Sequence, residues 1–324
     1  MKQKILELLK HNKGTPISGE DISVQLGVSR TAIWKQINSL KAEGYLIESK
    51  SRRGYMLVEA PDILYPPELK IKLGDSIFSR DIHYKKQVDS TNTWAKRLAD
   101  EGALEGSLAI AEEQTGGRGR RGRAWHSADQ KGIWMSVVLR PKIPPTGAAK
   151  LTFVAAVAVV KAVKNVTGVE LGIKWPNDLY YQGKKVCGIL TEMKAEVDLI
   201  DYVIIGMGVN VNQEAVDFPE ELNDIATSVA LASGQRALRQ DIAAQILLEL
   251  EREYVSFVGN GFESTLKRWQ ELDLTYGKEV LVQEFSHQYT GIAQGVDADG
   301  SLLVETEKGR KAVSAGDVSI RVAK

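Results

Sequence analysis

An unbroken run of glycine and arginine at positions 116–123 is the feature that most limits what this chain can fold into. It follows a strand-like run that ends near Gln114 and precedes another that begins near Ile133, so it connects core strands and is not a tail. Glycines let the backbone approach a ligand closely, and planar guanidinium groups suit carboxylate and phosphate oxygens. The run therefore predicts an anion-binding loop, with a nucleotide phosphate as the first candidate ligand.

Two common nucleotide-binding fingerprints are absent around this arginine loop (residues 116–123). The Walker pattern G-x-x-x-x-G-K-[ST] does not occur, and a dinucleotide turn would need a helix where Trp125-His126-Ser127 continues an irregular segment. Because closely spaced arginines repel one another, we expect the loop to be mobile until an anion orders it. Taken alone, such a loop could also bind RNA or DNA without sequence preference.

Length and composition set broad limits. A chain of 324 residues predicts two or three domains. Forty-two basic and 42 acidic residues cancel, so a surface for nucleic acid must be local. The single cysteine, Cys187, excludes an internal disulfide and is expected to be a buried, inert side chain. Together with the missing signal-peptide pattern, this predicts a soluble cytoplasmic protein.

Two further patterns argue against a membrane anchor and a histidine metal site. The most apolar run, Leu151–Val160, is far shorter than the roughly 20 residues that a bilayer crossing needs, so it predicts a core helix. The four histidines, at positions 11, 83, 126 and 287, show no paired ligand spacing. We therefore expect neither a membrane partner nor histidine-bound metal.

Residues 1–60 have the pattern of a winged helix-turn-helix. A helix at 2–10 is followed by one that opens at Ser18 and stops at Gly27, and by a third that begins after Ser29. Two extended runs between residues 45 and 58 then flank a basic tip and predict a hairpin wing. Ten Lys and Arg against six Asp and Glu give this segment a charge of +4, which favours DNA binding over a protein-interaction module.

Prolines mark the first domain boundary. Pro61 and Pro66-Pro67 bracket a segment that cannot continue a helix or a central strand, so we expect a linker at about 60–67. From 61 to 272, strand-like and helical runs alternate and predict an α+β domain with one large sheet. From 273 to 324, short alternating runs, the last at Ala312–Arg321, predict a small β-barrel.

Five motifs follow one another between residues 80 and 212. They are Asp89-Ser90-Thr91-Asn92; Glu113-Gln114 with Gly117-Arg118-Gly119-Arg120-Arg121-Gly122-Arg123 and Trp125; Lys174-Trp175-Pro176-Asn177-Asp178; Lys185 with Gly188-Ile189-Leu190; and Gly206-Met207-Gly208-Val209-Asn210. In order and spacing they resemble biotin–protein ligases of the bifunctional class, which also repress biotin synthesis genes. The resemblance implies an α+β multidomain protein: a winged helix-turn-helix, a class II synthetase-like ligase domain with a large mixed sheet, and an SH3-like barrel.

The resemblance also implies a two-step reaction. Biotin and ATP, with Mg²⁺, would form biotinyl-5′-adenylate and diphosphate, and a lysine of a biotin carboxyl carrier protein domain, of the acetyl-CoA carboxylase type, would then accept the biotin. Because adenylation joins two anions, catalysis must come mainly from positioning and positive charge. No permanently bound cofactor is expected, and biotinyl-5′-adenylate would serve as the corepressor.

Residue roles are carried over by position. Those implied to bind biotin are Ser90, Thr91, Asn92, Gln114, Arg118, Gly119, Arg120 and Lys185. Those implied to bind the nucleotide are Arg120, Arg121, Arg123, Trp125, Asp178 and Asn210. Lys185 and Arg120 are the implied catalytic pair, and Asp178 is the candidate Mg²⁺ ligand.

Plainer interpretations stay open for several of these residues. Lys185 could be a solvated turn lysine, and Ser90 or Thr91 could cap a helix. Asp178 and Asn210 could be ordinary turn residues, and aromatic residues such as the tryptophan at 125 are more often core than ligand contacts.

The matching helix-turn-helix, Gly19–Asn38, predicts an operator-DNA site. Its third helix would present Arg30, Thr31, Lys35 and Gln36 to the major groove, while Arg52 and Arg53 of the wing approach phosphate or the minor groove. Because the whole chain is neutral, we expect two such modules to pair across a palindrome in a ligand-dependent homodimer. Ordering of the arginine loop by biotinyl-adenylate would favour that dimer.

Two other functions fit part of the pattern. A ligand-sensing transcription factor could bind an acyl-adenylate without turnover, but Lys185 together with Arg120 argues against it. A ligase for lipoate or another small acid is disfavoured by Ser90-Thr91 and Gln114, because lipoate has no ureido group for them to bind.

Overall fold

The computed structural model describes residues 1–12, 14–50, 53–283, 288–315 and 319–322. The N-terminal part contains α1 (Lys2–His11), α2 (Gly19–Leu26), α3 (Arg30–Ala42) and the antiparallel pair β1 (Leu46–Lys50) and β2 (Gly54–Glu59). The predicted helix ends are present: the hydroxyls of Ser18 and Ser29 accept backbone N–H groups, and Gly27 is left-handed with φ 65°. Apolar side chains of these elements form a separate buried cluster. The winged helix-turn-helix is confirmed.

A helix begins where the prolines were expected to mark only a linker. α4 spans Pro66–Leu73 and has both prolines in its first turn. There the missing N–H groups have no helical partner, and the fixed φ of proline suits the helix. The preceding Leu64 is fully buried, so the segment predicted as a linker is packed against the rest of the protein.

The middle of the chain folds around a seven-stranded mixed sheet with the order β3-β4-β5-β9-β8-β7-β6. Its strands are β3 (Ile82–Val88), β4 (Leu108–Gln114), β5 (Gly132–Leu139), β6 (Gly172–Lys174), β7 (Asp178–Tyr181), β8 (Lys184–Glu196) and β9 (Leu199–Asn210). Its helices are α5 (Thr91–Asp100), α6 (Leu151–Thr167), α7 (Val229–Ser233), α8 (Arg239–Asn260) and α9 (Glu263–Gln270). β3 and β4 pair in parallel and the other neighbours are antiparallel. The predicted large mixed sheet is confirmed.

The most apolar run of the chain lies inside this domain. Pro145–Thr167 is the one helical stretch of the described residues long and apolar enough to cross a membrane, and 72% of its most apolar window is buried. α6 contributes a nearly continuous set of buried residues to the main core, as predicted for a core helix. Cys187 on β8 is also buried, and burial raises the pKa of its thiol, which keeps the sulfur protonated and inert.

The C-terminal part is an antiparallel sheet with the order β13-β12-β11-β10-β14. Its strands are β10 (Glu279–Gln283), β11 (Gln288–Val296), β12 (Leu302–Thr306), β13 (Gly309–Val313) and β14 (Ser319–Val322). The single strand predicted at Ala312–Arg321 is wrong, because the chain leaves β12 after Val313 and pairs with β10 from Ser319. Alternation of side chains does not reveal a change of partner strand.

Candidate active site

A cavity of about 550 Å³ lies between the arginine loop, the β6–β7 turn and the middle of β8 and β9. It is lined by every residue predicted to bind biotin or nucleotide: Ser90, Thr91, Asn92, Gln114, Arg118, Gly119, Arg120, Arg121, Arg123, Trp125, Asp178, Lys185 and Asn210. Four arginines and two lysines line it against one carboxylate, Asp178. Such an excess of positive charge suits a ligand that carries several anionic oxygens.

One wall of the cavity is polar but uncharged. Gln114 accepts from both the backbone N–H (2.8 Å) and the hydroxyl (3.1 Å) of Thr91, and it donates to the Ser127 hydroxyl at 2.8 Å. Ser90 precedes α5 without making a side-chain capping bond, so its hydroxyl is not used as a helix cap. Neutral donors and acceptors of this kind suit an amide-like ligand group.

Asn92 ties α5 to the sheet beneath this wall. Its side chain accepts from Ser136 at 2.6 Å and donates to the carbonyl oxygen of Leu190 (3.2 Å) and to Glu192 (2.8 Å). A methyl group on Gly206 would lie 1.9 Å from the Asn92 amide oxygen, so only glycine leaves room for this arrangement. Asn92 lines the cavity, but these side-chain hydrogen bonds are made to the sheet.

The arginine loop is held by its backbone. Gly116 donates to the carbonyl oxygen of Asp89 at 2.8 Å, which fixes the start of the loop beside the end of β3. Gly119 donates to the carbonyl oxygen of Arg123 at 2.7 Å, so the tip of the loop closes on itself, and Arg121 has a left-handed φ of 57°. Backbone bonds therefore direct the loop over the cavity.

Arg120 is aimed by a residue that the sequence did not single out. Its guanidinium donates to the Asn177 side-chain oxygen at 3.3 Å, and the Asn177 amide in turn donates to the carbonyl oxygen of Ile189 at 2.7 Å. Asn177 thus links the loop to β8. It belongs to the motif at 174–178, and that membership was the only signal in the sequence.

Lys185 is a wall residue of the cavity and not a solvated turn lysine. Its ammonium lies 2.7 Å from the Asp178 carboxylate and 5.1 Å from the centre of the Trp125 ring. Its backbone is fixed as well, since its N–H donates to the carbonyl oxygen of Ile225 (2.8 Å) and its own carbonyl accepts from Thr227 (2.9 Å). A flexible cation is therefore held in the cavity wall by the Asp178 carboxylate.

Trp125 covers glycines of the central strands. Methyl groups on Gly188 and Gly208 would come within 2.9 Å and 2.6 Å of its ring. The ring also meets Trp134 edge to face, with 6.4 Å between the ring centres. Trp125 is thus packed on one side and lines the cavity on the other.

Asn210 and Tyr180 also line the cavity. Asn210 donates to the carbonyl oxygen of Thr227 and accepts from Gln213, each at 3.1 Å, so it holds the chain that returns over the site. Burial, with the nearby Asp178 carboxylate, raises the pKa of Tyr180 to about 12. The Tyr180 hydroxyl therefore stays protonated at neutral pH.

The side chains that line the cavity limit how the implied Mg²⁺ could be bound. Within the described ranges, no three His, Cys, Asp or Glu side chains lie close enough together to hold a metal ion. Asp178 alone supplies a carboxylate to the cavity, and it is paired with Lys185. This fits an Mg²⁺ that arrives on ATP phosphates and takes at most one protein carboxylate.

A second candidate site lies on the winged helix-turn-helix. The predicted Arg30, Thr31 and Lys35 are exposed along one side of α3, and Gln36 is half-buried; the opposite side of α3 is buried. Trp34, which the sequence reasoning missed, is 56% exposed among them. In the wing, Arg53 is exposed and Arg52 lies outside the described residues.

Comparison with known proteins assigns a family to each of the three parts of the chain. The family model of the biotin/lipoate A/B protein ligase family matches residues 84–210, an HTH domain model matches 2–56, and the biotin protein ligase C-terminal domain model matches 275–321. The solved structure of biotin protein ligase from Aquifex aeolicus in complex with biotin and ATP superposes with a TM-score of 0.66 at 31% identity, covering 75% of this chain and 100% of that one. Fold and cavity together define a protein ligase of the biotin/lipoate class that carries a helix-turn-helix domain.

Relatives that match over nearly their whole length identify the family within this class. Bifunctional ligase/repressor BirA of Bacillus subtilis (strain 168) is 41% identical over 320 residues, which is 99% of this chain and 98% of the relative. Bifunctional ligase/repressor BirA of Escherichia coli (strain K12) is 31% identical over 99% of this chain and 97% of the relative. The chain belongs to the family of bifunctional biotin–protein ligase/repressors.

Proposed function

We propose that this chain joins biotin to AMP, transfers the biotin to a lysine of a carrier-protein domain, and represses transcription when biotinyl-5′-adenylate is bound. The observation that carries the proposal is that one cavity combines two kinds of lining. Thr91 and Gln114 form a neutral polar wall. Lys185 and Arg120 also line the cavity, and they meet two neighbouring residues, Asp178 and Asn177. Biotin, which has a neutral ureido ring and a carboxylate tail, matches both kinds of lining.

In the first step, an oxygen of the biotin carboxylate attacks the α-phosphorus of ATP. A carbon–oxygen–phosphorus link forms, the bond between the α-phosphorus and the oxygen that bridges to the β-phosphorus breaks, and diphosphate leaves. Lys185 and Arg120 offset the repulsion between the two anions, while Asp178 holds the lysine ammonium in place beforehand. The remaining arginines of the loop suit the other phosphate oxygens.

In the second step, the uncharged amine of an acceptor lysine attacks the acyl carbon of the adenylate. An amide forms, the acyl–oxygen bond breaks, and AMP leaves after the amine has lost its proton. The same cations, Lys185 and Arg120, stabilise the charge that develops on the departing phosphate.

Incubation of the purified protein with biotin, ATP, Mg²⁺ and a biotin carboxyl carrier domain tests the catalytic proposal. We expect biotin on the acceptor lysine, together with AMP and diphosphate. Tight binding of biotinyl-adenylate without transfer would indicate a sensor instead, and transfer of lipoate but not biotin would indicate a different substrate.

The repressor proposal depends on α3. Alanine in place of Arg30 or Lys35 is expected to weaken binding to a DNA fragment selected by the unaltered protein, and to make the affinity less dependent on salt, with the slope falling by about 1 for each lost phosphate contact. Fluorescence anisotropy over a series of salt concentrations measures both quantities. Lys4→Ala, an exposed lysine on α1, is the matched control; equal losses for Lys4 and Lys35 would argue against α3 as the recognition helix.

We also propose that two chains pair when biotinyl-adenylate is bound. We expect sedimentation velocity to show a larger species with biotinyl-adenylate than with ATP or buffer, because ordering of the arginine loop removes an entropic cost of association. If sedimentation were the same with and without the adenylate, the proposed coupling of ligand to dimer would be lost.

A further inference from the structure

A fully buried arginine lies at the start of α8, outside the cavity. The Arg239 side chain has no exposed surface, and its guanidinium meets two carboxylates, those of Asp62 (3.1 Å) and Glu112 (2.7 Å). The same guanidinium donates to the carbonyl oxygens of Gly132 (3.1 Å) and Asp62. Burial of a charge at this depth is costly unless it is fully paired, so the arrangement needs all of its members.

Two of these partners, Glu112 on β4 and Gly132 on β5, lie on the strands before and after the arginine loop. Glu112 lies two residues before Gln114, the residue that bonds Thr91 in the polar wall. Gly132 is the first residue of β5, where the chain returns from the loop. The Arg239 guanidinium therefore binds both β4, which leads into the loop, and β5, which follows it.

An asparagine just beyond the end of β9 makes a second link of this kind. The backbone N–H of Asn212 donates to the carbonyl oxygen of Lys131 at 2.7 Å, and its side chain donates to Asp62 at 3.3 Å. Asn212 follows closely on Asn210, which lines the cavity. Asp62 is thus linked to the base of the loop, where it joins β4 and β5, by two routes: one through Arg239 and one through Asn212.

The chain around Asp62 joins the two buried cores. Ile63 packs against the core of the DNA-binding domain, whereas Leu64 is buried in the core of the ligase domain. The N–H of Leu64 donates to Glu112 at 2.7 Å. A displacement of the DNA-binding domain would therefore be transmitted through residues 62–64 to the carboxylates of Asp62 and Glu112, which Arg239 binds.

We infer that Arg239, with Asp62 and Glu112, is a positioning residue that fixes the base of the arginine loop and links it to the segment following the DNA-binding domain. The inference rests on the proposed function, since it assigns the network to the biotin site of that function. It gives Arg239 no contact with substrate: the residue acts through Gln114 and the loop. A network that only stabilised the fold would change the unfolding temperature without changing biotin binding selectively.

Asp62→Asn is the primary test, because Asp62 is only partly buried and the amide keeps its shape while losing the charge. Arg239→Lys is the second variant, since it retains the charge but cannot meet both carboxylates at once. Arg140→Lys is the matched control: Arg140 makes a similar set of bonds to carbonyl oxygens and to Asp201, but beyond the opposite end of β5.

Calorimetry with biotin alone, thermal unfolding, and steady-state kinetics should be measured on all four proteins. We expect Asp62→Asn and Arg239→Lys to raise the biotin Kd and KM about tenfold, the scale of one hydrogen bond to a charged group, with kcat changed far less. Arg140→Lys should lower the unfolding temperature and leave the biotin Kd unchanged. An unchanged biotin Kd in folded Asp62→Asn would overturn the inference, whereas absence of biotin binding by the unaltered protein would instead overturn the proposed function.

Discussion

Lys185→Met is expected to lower the rate of biotinyl-adenylate formation by at least about 100-fold, the cost typical of removing one preorganised group that stabilises developing charge. The side chain keeps a similar apolar stem over Trp125 but loses the ammonium that lies 2.7 Å from Asp178. Diphosphate release in the presence of biotin and ATP measures this step without the acceptor protein. The unfolding temperature should change little, because the lysine is a partly exposed cavity residue and not part of the core.

The neighbouring lysine provides the control. Lys184 is half-buried, like Lys185, and donates to the carbonyl oxygen of Asn223 at 2.8 Å, outside the set of residues that line the cavity. Lys184→Met should keep nearly full activity. Similar rates for the two variants would remove Lys185 from the reaction.

Gly206→Ala is expected to weaken biotin binding by about ten- to a hundredfold, because crowding a packed site typically costs 1–3 kcal/mol. The added methyl would lie 1.9 Å from the amide oxygen of Asn92, so Asn92 and the start of α5 must move. That movement displaces Ser90 and Thr91, which precede Asn92 in the polar wall. Isothermal titration with biotin gives the affinity directly.

A second glycine separates this effect from a general cost of adding a methyl group. Gly259 lies in α8 with open space around the position of a Cβ, so Gly259→Ala should leave biotin binding unchanged and slightly stabilise the helix. If Gly206→Ala bound biotin as tightly as the unaltered protein, the polar wall of the cavity would tolerate a shift of Asn92, contrary to this prediction.

Features with a local cause could be predicted from the sequence. Ser18, Gly27 and Ser29 cap or end helices through their own backbone and side-chain chemistry, and the structure has those ends in place. The arginine loop was located for the same reason, because glycine and charge cannot continue a buried strand. Motif resemblance then supplied the members of the cavity wall.

Features that depend on distant partners could not be predicted. Arg239 gains its importance from Glu112 and Asp62, which lie 127 and 177 positions away in the chain. β7 spans only four residues, too few for any periodic pattern to show. Pro66-Pro67 led to the expectation of a linker, whereas they begin α4. Proline can start a helix or break one, and only its position within the helix decides between the two.

The C-terminal sheet shares its apolar core with the ligase domain, and this limits how the chain can be divided. Val280, Val282 and Val304 belong to the same cluster as the central sheet and α6, and the Trp175 indole donates to the carbonyl oxygen of Gly300 at 3.1 Å. The DNA-binding domain, in contrast, has a cluster of its own. In evolution or in the laboratory, the last fifty residues must therefore change together with the enzyme. A replacement of the first sixty must keep the partners that Lys10 and Tyr45 provide for the buried Glu68 carboxylate of α4.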